Sequence, residues 1–414
     1  MTGAAAATAL AGLLAPGCSS SGTEQVVVTV DQAVTLADQQ VHLKISGLRP
    51  HKPVTVGAEA VDQAGKKWHG EVTFTSDDHG RVDLDTAKPS GGSYQGVDGM
   101  GLFWSMNPSD GDPEAQSFVP RTENGRPVEQ VGIFVSRGGK RVASTTVTRQ
   151  WMSSGVTAEQ LTTAKDNLTG MYVAPAADDE KHPAVLLFGG SEGGVASPLT
   201  AALLASHGYP VLDVAYFHAD GLPAELRNIP LEYFASAAQW LDKQPGVDPA
   251  HVIVMSASLG TEAALLLSDH FPALLHGAVL FAPGAAVSES FPRPDGSAWT
   301  YRGQPVPRDP IAVDSVDGPV LAVAGSDDLL WGSRLAAQLI MSELDQASNR
   351  FPHKAIVVDG AGHQVAGAPY LPHGTKLKHP IVGKALDYGG SRAANESALR
   401  QGWAQVLVML SSLR

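Results

Sequence analysis

The run Val252-Ile-Val-Met-Ser-Ala-Ser-Leu-Gly260, followed directly by Thr-Glu-Ala-Ala-Leu-Leu-Leu-Ser268, decides how this chain reads. Four apolar residues make a buried strand, and an Ala/Leu-rich segment makes a helix. Only a tight turn fits between them. Ser256-Ala-Ser258-Leu-Gly260 has the form of a nucleophile elbow, with Ser256 where a glycine is usual. Small residues two before and two after the central serine let strand and helix approach closely. Such a turn lifts the Ser258 hydroxyl above the sheet edge. It also points the Leu259 N–H at a reacting oxygen, as one half of an oxyanion hole.

A serine hydroxyl is a weak nucleophile at neutral pH and needs a base. After an elbow of this kind the acid and then the histidine follow in chain order. Val320-Leu-Ala-Val-Ala-Gly-Ser-Asp-Asp328 is an apolar strand ending in Gly325 and two aspartates. Ala355-Ile-Val-Val-Asp-Gly-Ala-Gly-His363 is the next strand and ends in a histidine. The Gly-x-x-Asp spacing favours Asp328 as the partner of His363, with Asp327 as the alternative. Both are also placed to cap a helix starting near Ser333. His363 would take the Ser258 proton and pass it to the leaving group. His353 and His373 lack a strand-end position and read as surface residues. Phe188-Gly-Gly-Ser-Glu-Gly-Gly194 follows an earlier strand, and its glycines let N–H groups face the site. The Ser191 or Glu192 amide is then the second oxyanion donor. The loop has neither the lysine nor the spacing of a phosphate-cradling motif.

Further out, apolar runs at 184–188, 211–214, 252–255, 278–281, 320–324 and 355–358 alternate with segments of helical length. In one of these, Leu231, Phe234, Ala235, Ala238 and Leu241 share a face. Continuous apolar strands alternating with amphipathic helices imply a parallel sheet buried on both sides. A last helix is expected over 393–413. The first part differs. Short β-branched stretches at 26–30, 41–46, 54–60, 71–76, 132–135 and 142–148 are separated by Pro, Gly, Asp and Asn. They predict an immunoglobulin-like β-sandwich. The expected organisation is a leader over 1–24, the sandwich over 25–150, a polar connector over 151–169, and an α/β-hydrolase domain over 170–414.

The chain has 414 residues, with 29 Lys plus Arg against 42 Asp plus Glu, a net charge of −13. That balance, without a basic block, argues against a nucleic-acid partner. No run is apolar enough over about 20 residues to cross a bilayer permanently. The single cysteine, Cys18, excludes an internal disulfide and a Cys-based zinc site. No metal or cofactor is expected. Residues 4–15 are apolar and small, followed by Pro16-Gly-Cys18-Ser-Ser-Ser-Gly22, which reads as an export signal with a tether. This segment resembles a bacterial lipoprotein signal. The resemblance implies cleavage before Cys18, acylation of its thiol, and anchoring in the cell envelope facing outside the cytoplasm. The alternative is a disordered leader on a cytoplasmic protein.

These residues, with longer strings around them, resemble the family of acyl-CoA thioesterases and bile acid-CoA:amino acid N-acyltransferases. The strings are Ser90-Gly-Gly-Ser-Tyr-Gln-Gly-Val-Asp-Gly-Met-Gly-Leu-Phe-Trp-Ser-Met106, the Gly189 to Gly194 loop, Leu204-Ala-Ser-His-Gly208, Ile229-Pro-Leu-Glu-Tyr-Phe234, Asp327-Asp-Leu-Leu-Trp331, and Pro369-Tyr-Leu-Pro372. The resemblance spans both domains. It implies a triad of Ser258, Asp328 and His363 and acyl transfer from a small-molecule thioester through an acyl-enzyme. Members with a cysteine nucleophile transfer to amines and those with serine hydrolyse, so water is the implied acceptor. Leu259 stands where a lysine is frequent, which bears on how an anionic leaving group is held. Trp104 and Met106 are candidates for domain-interface packing or for an acyl tunnel. Arg302, Arg308, Lys376 and Lys378 are candidates for coenzyme A phosphates or are scattered surface charges. The other readings are a carboxylesterase acting on lipid-like or polyketide-like esters, and a non-catalytic envelope-binding lipoprotein with a hydrolase fold.

Overall fold

The computed structural model describes residues 25–414. The proposed signal, with Cys18, lies outside the described residues. Alternation of side chains builds the first domain. In the strand Lys67–Thr75, Trp68, Gly70, Val72 and Phe74 are buried while Lys67, His69, Glu71 and Thr75 face out. Pro53–Val61 pairs with it, Arg126–Arg137 pairs with Pro53–Val61, and Lys140–Gln150 pairs with Arg126–Arg137, all antiparallel. A second, three-stranded sheet contains Val27–Val30, Leu43–Ser46 and Val82–Asp83. Leu43, Ile45, Val56, Phe74, Ile133 and Val135 from the two sheets belong to one buried cluster. Full burial of each such side chain contributes about 1.5–3 kcal/mol. This is the expected β-sandwich.

The second domain is one eight-stranded sheet. Its strands are β1 (Thr157–Leu161), β2 (Thr169–Ala174), β3 (His182–Phe188), β4 (Val211–Ala215), β5 (Val247–Ala257), β6 (Ala278–Phe281), β7 (Val320–Gly325) and β8 (His353–Val358). Their spatial order is β1-β2-β4-β3-β5-β6-β7-β8. From β4 through β8 every pairing is parallel, and β2 joins antiparallel. This is the topology of an α/β hydrolase. Every residue of β3, β4, β6 and β7 is buried, as continuous apolar strands require. Successive residues feed opposite faces. Val185, Ile253, Val279 and Val323 pack with helices α1 (Pro198–Ser206) and α5 (Arg392–Ser411). Leu186, Val254, Leu280 and Ala322 pack with α2 (Leu231–Leu241), α3 (Gly260–His270) and α4 (Ser333–Gln346).

The polar segment expected to be a connector is in part sheet. Thr157–Leu161 is the edge strand β1, exposed at four of its five residues. Its side chains bury too little for an apolar pattern to betray it. The α1/α5 side of the sheet and the sandwich core form one continuous buried cluster. Polar contacts close the seam. Arg392 donates to Asn107 Oδ1 at 2.6 Å and to the carbonyls of Trp104 and Met106 at 3.2 and 2.6 Å. Arg400 meets both oxygens of Asp98 at 3.2 and 3.1 Å. Asp38 accepts the Trp403 indole N–H at 2.8 Å and lies 2.6 Å from His207 Nε2. Trp104 and Met106 are buried in this seam, which accounts for them as packing residues.

Candidate active site

Strand β5 runs straight into the elbow. Ser258 has φ +55°, left-handed backbone that costs a non-glycine residue energy and marks a constrained turn. Its N–H donates to the Phe281 carbonyl at 2.9 Å, and its own carbonyl accepts from Thr261 N–H at 2.9 Å and Thr261 Oγ1 at 2.6 Å. A Cβ on Gly260 would stand 2.1 Å from the Gly189 carbonyl oxygen and 2.2 Å from Ser256 Oγ, so this position admits only glycine. Ser256, by contrast, is tolerated because its hydroxyl donates to the Gly189 carbonyl at 3.3 Å. Leu259 precedes the first residue of α3, where a backbone N–H is not needed by the helix.

The acid and the histidine meet as expected. His363 Nδ1 lies 2.8 Å from Asp328 Oδ2, and the two side chains are only 6% and 2% exposed. Oδ1 of Asp328 accepts the N–H groups of Leu330 and Trp331 at 2.9 and 3.2 Å. Burial alone would raise the Asp328 carboxyl. The hydrogen bond and charge of His363, with those backbone donors, hold it below its ordinary value. Asp327 is exposed, and its Oδ1 accepts the Ser326 hydroxyl at 2.7 Å instead. The His363 backbone N–H donates to the Tyr388 carbonyl at 2.7 Å, and the Trp331 ring packs edge-on against the imidazole, 5.7 Å away. His353 pairs with Asp345 at 3.0 Å. His373 is half-buried in the wall of the groove between the domains, where burial and the charge of Arg392 push its imidazole down to about 4.

The Gly-rich loop lies against the elbow. A Cβ on Gly190 would be 2.8 Å from Ser258 Cβ and 2.9 Å from the Ala257 carbonyl, which explains the glycine. Glu192 folds back so that Oε2 accepts the Gly190 N–H at 3.0 Å. Ser191 and Glu192, the two expected amide donors, both follow Gly190 on this loop. Burial pushes the Glu192 carboxyl up, against its backbone hydrogen bonds and the neighbouring His363. The Tyr216 hydroxyl donates to the Gly189 carbonyl at 3.1 Å and also meets the Gly190 carbonyl. Ser191 Oγ lies 3.0 Å from His379 Nε2. Tyr216 and His379 carry no local signature in the sequence, because what they hold lies far off along the chain.

Asp213 anchors the far end of the loop, accepting the Ser197 N–H at 2.9 Å. Burial is the main cause that raises its carboxyl to about 7, with Glu192 adding to it. A raised acid is held protonated by folding. Between pH 4 and 7 the folded chain therefore keeps a proton that the unfolded chain releases, and stability falls as pH rises through that window. The expected slope from this group approaches about 1.4 kcal/mol per pH unit. Asp213→Asn flattens the difference between urea melts at pH 5 and pH 7. Equal slopes in both proteins refute this.

Beside the loop, the two domains border a groove of about 560 Å³. Val119, Pro120, Trp151, Ala196, Leu199 and Leu371 give it a largely apolar lining. Among the described residues, no cluster of three or more His, Cys, Asp or Glu side chains could hold a metal ion. The candidate phosphate contacts are otherwise engaged in part. Arg308 pairs with Glu289 at 2.5 Å, Lys376 with Asp387 at 3.6 Å, and Arg302 sits over the Tyr301 ring.

Two family models cover most of the chain. "Acyl-CoA thioester hydrolase/BAAT N-terminal region" matches residues 38–163, and "BAAT / Acyl-CoA thioester hydrolase C terminal" matches 229–292 and 300–412. The chain belongs to the acyl-CoA thioester hydrolase/BAAT family of enzymes. Family relatives match along nearly their full length. The peroxisomal succinyl-coenzyme A thioesterase of Mus musculus is 26% identical, over 89% of this chain and 92% of its own. Acyl-coenzyme A amino acid N-acyltransferase 1 of Mus musculus is also 26% identical, over 90% and 94%. Among solved structures, a dienelactone hydrolase-like promiscuous phosphotriesterase from metagenomic libraries aligns with a TM-score of 0.43. It is 19% identical, over 63% of this chain and 99% of its own. The family thus contains both hydrolases and amine acyltransferases; the first region spans most of the sandwich and strand β1, and the second spans the hydrolase domain from α2 onward.

Proposed function

We propose that this chain is a serine-dependent hydrolase of acyl-CoA or related thioesters, with water as the final acceptor. The observation that carries this reading is the buried Asp328–His363 pair at the same sheet edge as a left-handed elbow serine. Ser258 Oγ attacks the thioester carbonyl while His363 Nε2 takes its proton. The oxyanion is met by the Leu259 amide and by that of Ser191 or Glu192. Collapse breaks the C–S bond, and His363 returns the proton to the departing sulfur, leaving an acyl-serine and a free thiol. Water repeats the sequence from the other side, releasing the acid and restoring Ser258. Water is favoured over an amine acceptor because the nucleophile position holds serine.

The test is a substrate panel on the purified protein. Thiol release from acyl-CoAs of several chain lengths is compared, as kcat/KM, with release of p-nitrophenol from matched esters. The thioesters are expected to be the better substrates. A panel in which every acyl-CoA is inert and the esters turn over replaces this reading with a carboxylesterase. No turnover of either class, with no fluorophosphonate adduct at Ser258, leaves the non-catalytic binding reading.

A further inference from the structure

We propose that the Ser191 hydroxyl is a third donor to the oxyanion and that His379 fixes its direction. This rests on the acyl-transfer reading of the site. His379 follows the short strand Lys376–Lys378 and is only 4% exposed. Its Nδ1 accepts the N–H groups of Ile381 and Val382 at 3.2 and 3.4 Å. A ring nitrogen that accepts N–H groups carries no proton, so in the neutral ring the proton is on Nε2. Burial favours that neutral form. Nε2 is the atom 3.0 Å from Ser191 Oγ. The imidazole therefore donates and the hydroxyl accepts.

A hydroxyl has one proton and two lone pairs. With a lone pair occupied by His379, the Ser191 proton is turned away from the ring and is free for another acceptor. On a loop that abuts the elbow, the acceptor we assign to it is the substrate oxygen. Ser191 is flanked by Gly190, which abuts Ser258 Cβ, and by Glu192, whose carboxyl feels the charge of His363. The backbone around it is pinned by Tyr216 and by the Glu192 carboxylate. The Phe291 ring, 5.2 Å from the imidazole, holds His379 from the side. A donor with its direction set before reaction needs no reorganisation as charge develops, which is the condition for strong transition-state stabilisation. His379 acts through Ser191 and is a positioning residue.

Ser191→Ala is expected to lower kcat for thioester hydrolysis about 100-fold with KM unchanged. The rate of fluorophosphonate attack on Ser258 falls in parallel, because the phosphonyl oxygen uses the same donors. His379→Ala gives a smaller loss, about tenfold, since the hydroxyl remains but is no longer aimed. His379→Gln keeps an N–H near the Nε2 position and restores most of the rate. Ser191→Ala with unaltered kcat and labelling rate overturns the proposal. So does a loss that tracks melting temperature across all three variants, which marks a purely structural staple. Slower labelling of Ser191→Ala in a protein that releases no thiol from any acyl-CoA keeps this inference and removes the thioester reading. A wild-type protein that takes no phosphonate overturns both.

Discussion

Ser258→Ala eliminates turnover, lowering kcat by about a millionfold while leaving the fold intact. A loss of that order is what removal of the nucleophile costs in a serine-histidine-acid enzyme, because the other groups then have nothing to activate. The fold survives because the Ser258 turn is held by its backbone. The Phe281 carbonyl and Thr261 supply the hydrogen bonds, and none of them involves Oγ. Alanine also meets the same left-handed φ of +55° that serine already tolerates there. Single-turnover thiol release, with a thermal melt and a fluorophosphonate label as controls, checks the result. Residual activity within a hundredfold of wild type refutes Ser258 as the nucleophile.

Asp328→Asn lowers kcat about ten-thousand-fold, whereas Asp327→Asn leaves it unchanged. The size follows from the tautomer. Oδ1 of residue 328 is committed to the N–H groups of Leu330 and Trp331. An asparagine keeps its carbonyl oxygen on those two donors, and its NH₂ then faces His363 Nδ1. That nitrogen is forced to accept, the ring proton moves to Nε2, and the imidazole loses the lone pair that receives the serine proton. Exposed Asp327, bonded to Ser326, has no such influence. Steady-state kinetics on both variants separate the two aspartates. Equal losses from both refute the assignment.

The parts of this molecule legible in its sequence are those whose signal is local. Each strand of the central sheet that is buried on both faces announces itself as an apolar run; the structure extends β8 two residues before its run, and β5 five residues before and two after, the added first part of β5 being partly exposed and so without an apolar signal. The elbow, the two aspartates and His363 were legible because each sits at the end of such a strand. Strand β1 was not, because an edge strand exposed at Thr157, Ala158, Glu159 and Gln160 has no apolar alternation. The segment after β6 was equally silent. Glu262 on α3 is fully buried there, accepting from the Ser288 amide at 2.9 Å, the Ser288 hydroxyl at 2.6 Å and the Trp299 indole at 3.0 Å. A carboxylate inside an Ala/Leu-rich helix looks like solvent-facing decoration until its donors are seen. Tyr216, Asp213 and His379 were unreadable for the same reason. Their partners are loop atoms brought near by topology, and the Ser191–His379 contact spans 188 residues of chain.

The seam between the two halves carries its own consequence. Because a single apolar cluster runs from the sandwich into the α1/α5 side of the sheet, cutting the chain between them would strip cover from both. Arg392, Arg400 and Asp38 would lose partners on the opposite half at the same time. The halves are therefore a single cooperative unit and not exchangeable modules, and neither can be transplanted without redesigning the surface it leaves bare.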